Sequence, residues 1–310
     1  MSIKNNLKMK IFKKIGIDNS LYREYGRDYP EIILKYFLTP IQLIKHIRGP
    51  LVNRQTPNKL DNLILNDFYY IERLKELRKF GYTLLPGYFD ELTIDSWRKN
   101  FGIDCQKGEK DWNYGKGKLT NDNEHSLLFK DSKKWDFLKI LSAYYGQQAY
   151  FRDGIAWSIV DPPSEKKPKY KKTSASLATK WHFDTPFQTT VHIFLTDRYD
   201  NYPTTEFAIE SHKVFRSLIS ERIDWYYSDK YIKNKYKTKR IYGEKGTVLL
   251  FDSNILHRAY LGTGGRRENI HINFTPGNNF KSSRHYLAKY LNKDDIIQSD
   301  YWLSMMGGHK

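Results

Sequence analysis

Seven short runs of β-branched and aromatic residues fill the second half of the chain, and each is closed by a turn. They are "QAYFRD", "IAWSIV", "WHFDT", "TVHIFLTD", "TEFAIE", "GTVLLFD" and "RENIHINFTP". Each run has the length and composition of a strand rather than of a helix. A series of so many short strands predicts a β-sandwich or a barrel.

Three segments with helical periodicity precede these runs. "NDFYYIERLKELRKFG" places Leu74 and Leu77 on one face and ends at Gly81, a residue type that favours a helix C-cap. "DELTIDSWRKNF" opens with Asp90 as its N-cap, and "SKKWDFLKILSAYYG" forms the third helix. We therefore expect a mainly β protein of the α+β class, in which the helices of 66–146 pack on the β core.

The chain divides into a main domain and two flanking segments. We expect a basic, partly helical extension over 1–65, a main domain over 66–290 and a tail over 291–310. Within the main domain, 214–245 is rich in Tyr and Lys and is interpreted as a helical insertion. In the extension, 31–48 fits either a helical arm on the main domain or a basic amphipathic element on a membrane surface.

The composition of the chain limits which cellular compartment and which partners are expected. The chain of 310 residues has one cysteine, no signal-peptide pattern and no apolar run long enough to span a bilayer, so we expect a soluble, cytoplasmic protein. Its net charge of +17 fits either an anion-binding surface or lysines dispersed for solubility. Since the lysines are dispersed and no nucleic-acid module is visible, no nucleic-acid partner is expected. No feature indicates an oligomeric state.

Three residues in the β region have the chemistry of a metal site, and two arginines follow them along the chain. "WHFDT" places His182 and Asp184 two positions apart, on the same side if the run is a strand. His257 follows "GTVLLFD" after a turn, and Arg266 and Arg267 open the last run. Two imidazoles and one carboxylate suit non-haem Fe(II) and leave coordination positions open. An arginine binds a carboxylate at two points, and 2-oxoglutarate requires both features.

These motifs resemble a known family. "WHFDT", "TEFAIESHK", "GTVLLFDSNILH" and the arginine ten residues after His257 resemble the phytanoyl-CoA dioxygenase-like branch of the Fe(II)/2-oxoglutarate oxygenases. "LRKFGYTLLPGYFDELTIDSWR" is similar to that family's opening helix, strand and helix, and the resemblance covers about residues 70 to 290. "ESHK" lacks the family's usual glycine before Ser-His, and "GT" stands in place of the usual "GD".

The resemblance implies a fold and a ligand set. The fold would be a double-stranded β-helix, also called a jelly roll, with a cupin-like core. His182, Asp184 and His257 would hold Fe(II), and Arg266 or Arg267 would hold 2-oxoglutarate.

Strand periodicity separates the two arginines. Arg267 shares its face with Asn269, His271 and Asn273, which suits a polar barrel interior, whereas Arg266 shares its face with apolar residues. Glu268 lies on that second face and would repel a bound carboxylate there. We therefore predict Arg267 as the 2-oxoglutarate ligand, with Arg266 as the second choice.

Other residues are candidates for the lining of the same pocket. Thr190 and His192 share a strand face and could contact 2-oxoglutarate, although a barrel-interior histidine is also common as a structural residue. On the substrate side the candidates are Trp157, Arg152 and Lys180. The lysine-rich loop over 161–180 fits either a lid for an anionic substrate or a solvated loop.

The expected function is that of an Fe(II)- and 2-oxoglutarate-dependent dioxygenase. It would use dioxygen to hydroxylate a C–H bond of a small organic substrate, acidic or phosphorylated if the lysine-rich loop is a lid, and would release succinate and CO2. Asp184 favours hydroxylation, because halogenases of this kind lack the carboxylate. Two rival hypotheses are a non-catalytic basic jelly roll that binds nucleic acid or anionic lipid, and a cupin-type metal enzyme that does not use 2-oxoglutarate.

Overall fold

Four helices and ten strands are arranged around two antiparallel sheets in the part of the chain that the computed structural model describes. That part comprises residues 61, 64, 66–103, 114–119, 128, 135–146, 149–151, 155–160, 178–184, 188–213 and 227–276. The helices are α1 (Phe68–Phe80), α2 (Glu91–Asn100), α3 (Phe137–Tyr145) and α4 (Asp229–Lys235). The strands are β1 (Tyr82–Leu85), β2 (Tyr114–Leu119), β3 (Ala149–Phe151), β4 (Ile155–Val160), β5 (Thr189–Phe194), β6 (Thr204–Ala208), β7 (Thr238–Ile241), β8 (Val248–Asp252), β9 (His257–Tyr260) and β10 (Arg267–Pro276).

The helix ends follow local sequence signals. The Asp67 carboxylate accepts a hydrogen bond from the Tyr70 backbone N–H and starts α1, and Gly81 ends it in the left-handed conformation. Asp90 starts α2 by accepting from the Thr93 N–H. Gly146 ends α3 in the same left-handed conformation. The three predicted helices are confirmed, with Leu74 and Leu77 buried as expected.

The strands form a seven-stranded and a three-stranded sheet. The larger sheet has the order β1-β8-β5-β10-β4-β2, with β3 also paired to β10, and the smaller sheet has the order β7-β6-β9. Every pairing between these strands is antiparallel. The predicted jelly roll, a double-stranded β-helix with helices on one side, is confirmed.

Alternation along the central strands separates an outer core from an interior. Val191 and Ile193 of β5 and Ile270 and Ile272 of β10 belong to a buried cluster that also contains the apolar faces of α1, α2 and α3. The alternate residues face the other way, where Phe194, Leu249 and Phe251 of the larger sheet meet Phe207 and Ile241 of the smaller sheet. The interior between the two sheets holds the candidate site.

Two predictions of secondary structure need correction. Residues 181–184 of "WHFDT" do not form a strand: Trp181 and His182 form isolated bridges to Tyr227 and His257. The described part of the 214–245 segment contains α4 but also β7, which pairs with β6 in the smaller sheet. Local composition could not reveal either feature, because both depend on pairing with a distant segment.

Several predictions fall on residues that the structure does not describe. These are Arg152, the lysine-rich loop up to residue 177, residues 214–226, residues 277–310, and the extension apart from residues 61 and 64. Among the helices that are described, none combines the length and apolar character needed to cross a bilayer.

Candidate metal centre

His182, Asp184 and His257 converge at one point of the interior. One ligand atom from each residue lies within 4.8 Å of the other two. The His257 Nε2 is 3.5 Å from the Asp184 Oδ2, and the His182 Nε2 is 3.9 Å from the Asp184 Oδ1. This is the only such group of His, Cys, Asp or Glu within the described residues. Its two nitrogen donors and one oxygen donor fit the facial triad that binds Fe(II).

Backbone pairing brings the three residues together. The His182 N–H donates to the His257 carbonyl at 3.0 Å, and the His257 N–H donates to the His182 carbonyl at 2.7 Å. The Asp184 N–H donates to the Ser253 carbonyl at 2.8 Å. The turn after β8 and the start of β9 therefore fix the segment 182–184, although that segment is not itself a strand.

Both imidazoles are oriented through their Nδ1 atoms. The His182 Nδ1 lies 2.7 Å from the Lys180 carbonyl, and the His257 Nδ1 lies 2.9 Å from the Ile255 carbonyl. Because a carbonyl oxygen only accepts, each Nδ1 must carry the proton. In the neutral ring Nε2 then has the lone pair, and both Nε2 atoms face Asp184. Metal-binding histidines commonly use this arrangement.

Two of the three residues, His182 and Asp184, are in the protonation state that a metal ligand needs. Burial, reinforced by His257, lowers the pKa of His182 to about 4, so this imidazole is neutral near pH 7. Burial opposes ionisation of Asp184, but the neighbouring His257 charge and hydrogen bond outweigh it and hold the pKa of the carboxyl well below its usual range. Burial also lowers the pKa of His257, and the attraction of Asp184 reverses the direction and raises it. A carboxylate that is ionised between two imidazoles attracts a cation.

Arg266 immediately precedes β10 and Arg267 is its first residue, and their side chains point to opposite sides of the larger sheet. Arg267 is 5% exposed and its Nη1 donates to the Thr205 Oγ1 at 3.3 Å, which places the guanidinium between the two sheets. The Arg266 Nε lies 3.1 Å from the Glu268 carboxylate, on the side covered by helices. Of the two, Arg267 is the one on the interior side.

Thr190 and His192 also face the interior. The Thr190 hydroxyl contacts the Ser253 hydroxyl at 2.8 Å and the Asn273 Oδ1 at 3.0 Å. The His192 Nε2 is 3.2 Å from the His271 Nδ1, and the His192 Nδ1 has no hydrogen-bond partner within the described part of the chain. These contacts tie β5 to β10 and to the turn after β8.

The remaining candidates lie outside the metal group. Lys180 is exposed and contributes its backbone carbonyl to the His182 ring. Trp157 is in β4, in register with Ile270, and its side chain is not described. His212 is buried in a short 3₁₀ helix, with its Nε2 3.0 Å from the Arg78 carbonyl, and is not part of the group.

Arg198 is a buried residue that sequence reasoning missed. It follows β5 and is 1% exposed, with its guanidinium carbon 3.2 Å from the centre of the Phe194 ring. A single arginine in a loop of charged and polar residues has no pattern that distinguishes it from a solvated side chain. Burial and the Arg267 cation both lower its pKa.

Comparison with known proteins supports the fold at the level of structure only. No family model matches the chain, and no curated protein sequence matches it. A crystal structure of the "non-heme alpha ketoglutarate dependent epimerase SnoN from nogalamycin biosynthesis" has a TM-score of 0.52 at 12% identity, over 67% of this chain and 83% of that chain. SnoN in complex with Fe3+, alpha ketoglutarate and nogalamycin RO has a TM-score of 0.52 at 11% identity, over 67% of this chain and 84% of that chain.

The chain therefore has the double-stranded β-helix fold found in SnoN. Since no family model matches, the resemblance to the phytanoyl-CoA dioxygenase-like branch stays a prediction.

Proposed function

We propose that the protein is an Fe(II)- and 2-oxoglutarate-dependent dioxygenase that hydroxylates a C–H bond of a small organic substrate and releases succinate and CO2. The observation that carries the proposal is the convergence of His182, Asp184 and His257 within 4.8 Å, on the interior side of a double-stranded β-helix. Iron and 2-oxoglutarate, when bound, would supply the activation of dioxygen that no side chain can provide.

The chain's own residues would bind and orient these groups. His182, Asp184 and His257 would hold the metal on one side, with both rings fixed by their Nδ1 hydrogen bonds. Arg267 would bind the distal carboxylate of 2-oxoglutarate, because it is buried on the same interior side and its planar fork matches a carboxylate. Thr190 and His192 are proposed contacts of the same cosubstrate.

Aromatic packing around His257 would keep water from one side of the metal. The His257 ring centre is 5.4 Å from that of Phe251 and 6.1 Å from that of Phe207. A closed apolar wall strengthens the electrostatic interactions inside it and limits side reactions with water. The chain's contribution to catalysis would therefore be metal binding, cosubstrate orientation and local exclusion of water.

Hydroxylation is proposed from Asp184, because halogenases of this kind lack the carboxylate and would bind a halide in its place. The description of SnoN as an epimerase indicates that this fold accommodates other outcomes. An acidic or phosphorylated substrate is proposed from the lysines of the loop that precedes the metal segment. No described feature favours the rival hypothesis of a binding protein for nucleic acid or anionic lipid.

The first prediction concerns the metal ligands. Asp184→Ala and His257→Ala should each abolish Fe(II) retention and succinate release from 2-oxoglutarate, because either change removes one of three donors. The exposed carboxylate Asp95 provides the control, and Asp95→Asn should behave as the wild type. Metal content after anaerobic loading and desalting, together with succinate release, makes the measurement.

Isotopically labelled dioxygen then tests the reaction type once a substrate is found, since hydroxylation places one labelled oxygen atom in the product. Equal metal content and equal succinate release in the wild type and both ligand variants would overturn the proposal.

A further inference from the structure

One carboxylate oxygen binds the chain neighbours of both candidate metal-binding histidines. The Asp229 Oδ1 accepts a hydrogen bond from the Trp181 Nε1 at 2.8 Å and another from the Arg258 Nη1 at 2.8 Å. Trp181 directly precedes His182, and Arg258 directly follows His257. The Arg258 guanidinium carbon also lies 4.6 Å from the centre of the Trp181 ring. Trp181, Asp229 and Arg258 are called the outer clamp below.

The outer clamp lies on the side of the smaller sheet that faces away from the metal group. The His257 side chain points to the interior, so the side chain of the next residue of β9, Arg258, points the other way. On that side the Arg258 Nε donates to the Glu206 carboxylate of β6 at 2.7 Å. The Asp229 side chain is 62% exposed. The outer clamp therefore contacts the segments that carry the two histidines and does not itself belong to the ligand set.

Backbone hydrogen bonds hold α4, and with it Asp229, in place. Just before the helix, the Tyr227 N–H donates to the Trp181 carbonyl at 2.8 Å. Just after it, the Lys237 carbonyl accepts from the Ile209 N–H at 2.8 Å, next to the end of β6. The helix is thus attached at one end to the metal segment and at the other end to the smaller sheet.

The orientation of the His182 ring depends on backbone that the outer clamp holds. The His182 Nδ1 lies 2.7 Å from the Lys180 carbonyl, and Trp181 stands between these two residues in the chain. His182 also exchanges two backbone hydrogen bonds with His257, at 3.0 and 2.7 Å. A shift of Trp181 would therefore move both the carbonyl that orients the ring and the bridge between the histidines. Partners beyond the ligands fix ring orientation and contribute to metal affinity.

We propose that Asp229 is a positioning residue for the candidate metal centre and acts through Trp181 and Arg258. The inference rests on the metal centre of the proposed function and gives a role to a helix of the 214–245 segment that the proposed reaction does not use. Asp229 holds the two histidine-bearing segments together from the outer side of the smaller sheet. Its loss should lower metal affinity and leave the protein folded, because an exposed ion pair contributes little to stability.

Asp229→Ala tests this role in the full-length protein, with Asp95→Ala as the matched control. Asp95 is also a helical carboxylate with a cationic partner: it is 51% exposed and lies 3.1 Å from the Lys245 Nζ, but it belongs to α2, which packs on the larger sheet. Calorimetry measures Mn(II) binding. Asp229→Ala should weaken it by about 10-fold, at the lower end of the losses that follow removal of a partner beyond the ligands. Asp95→Ala should bind as the wild type does, and Asp229→Asn, which keeps an acceptor oxygen, should recover part of the affinity.

Two further readouts separate positioning from structural support. The visible absorption of bound Co(II) depends on its coordination geometry, and it should change in Asp229→Ala but not in Asp95→Ala. Trp181→Phe removes the indole N–H and keeps an aromatic ring next to Arg258, so it should weaken Mn(II) binding less than Asp229→Ala does. The double variant should bind Mn(II) like Asp229→Ala alone, because both changes remove the same hydrogen bond.

The outcomes also separate this inference from the proposed function. If the wild type does not bind Mn(II), the proposed function fails and the role of Asp229 fails with it. If the wild type binds Mn(II), and Asp229→Ala has the same affinity and the same Co(II) spectrum, only the role of Asp229 is overturned. A lower unfolding midpoint of metal-free Asp229→Ala, with affinity and spectrum unchanged, would likewise overturn it and make the outer clamp a structural contact.

Discussion

Adjacent residues of β10 place opposite charges on opposite faces of the larger sheet. Arg267 lies in the interior, whereas the Glu268 carboxylate is 1% exposed and contacts the Arg98 Nε of α2 at 2.7 Å and the Arg266 Nε at 3.1 Å. The two arginines thus hold the buried Glu268 carboxylate on the side of the sheet that the helices cover. The alternation keeps a negative charge out of the space in which we propose that a carboxylate binds.

The cluster predicts a stability effect at Arg98. Arg98→Met should lower the free energy of unfolding by about 1–3 kcal/mol, because Glu268 stays buried and loses one of two cationic partners. Lys99→Met is the matched control at an exposed neighbouring position and should change it by less than about 0.5 kcal/mol. Urea unfolding followed by circular dichroism measures both. Equal effects would show that Arg98 contributes nothing through Glu268.

Strand alternation distinguishes Arg267 from Arg266 but gives no information about Arg198. Arg267 could be preferred over Arg266 from sequence, because the period of two assigns a whole strand from its polar and apolar partners. Arg198 could not be found in this way, because it lies beyond the end of β5, where no periodicity applies. Its burial depends on contacts with Phe194 and with the distant Gly243.

At the scale of elements, a glycine turn before β8 joins three segments. The Phe89 N–H donates to the Gly246 carbonyl at 3.0 Å, and the Gly246 N–H donates to the Phe194 carbonyl at 2.9 Å. Gly246 has a φ of 84°, in the left-handed region, and a Cβ at this position would overlap the Phe89 carbonyl oxygen. Only a glycine allows the three backbones to approach this closely.

Two glycine substitutions separate this close approach from backbone strain alone. Gly87 also has a positive φ, of 58°, but nothing lies within 4 Å of the position of its Cβ. Gly87→Ala should therefore cost only the left-handed penalty, about 1 kcal/mol. Gly246→Ala should cost several-fold more, because the Phe89 contact must also open.

The unfolding midpoint in urea and the soluble fraction after expression measure the difference between these glycine variants. If Gly246→Ala gives no soluble protein while Gly87→Ala does, that result also agrees with the prediction. Similar midpoints for Gly246→Ala and Gly87→Ala would contradict the close packing.

Elements differed in how far their own sequence determined them. The helices could be placed from caps such as Asp67, Asp90 and Gly81, because capping is a local interaction. The segment around His182 and the strand β7 could not be assigned correctly, because each is defined by hydrogen bonds to residues far along the chain. The three members of the candidate metal centre could nevertheless be proposed from sequence, since the motif indicates their identity and the tertiary pairing fixes only their geometry.

At the scale of the whole molecule, the candidate metal centre connects parts of the chain that are distant in sequence. His182 and Asp184 precede β5 of the larger sheet, while His257 opens β9 of the smaller sheet. A bound ion would therefore connect the two sheets at the interior that they enclose. Because the three residues converge only in the folded chain, metal binding there would be coupled to the stability of the whole fold.

This coupling predicts that a divalent ion stabilises the fold as a unit. With Mn(II) at about 100 times its dissociation constant, binding adds about 2.7 kcal/mol and should raise the unfolding midpoint by about 5 °C. Asp184→Ala should show no rise, because the carboxylate that attracts the ion is gone, whereas Asp95→Asn should show the full rise. Differential scanning calorimetry with and without Mn(II) measures the shift. A rise in Asp184→Ala equal to that of the wild type would place the ion outside the His182–Asp184–His257 group. In that case the ion would not stabilise the two sheets through that group.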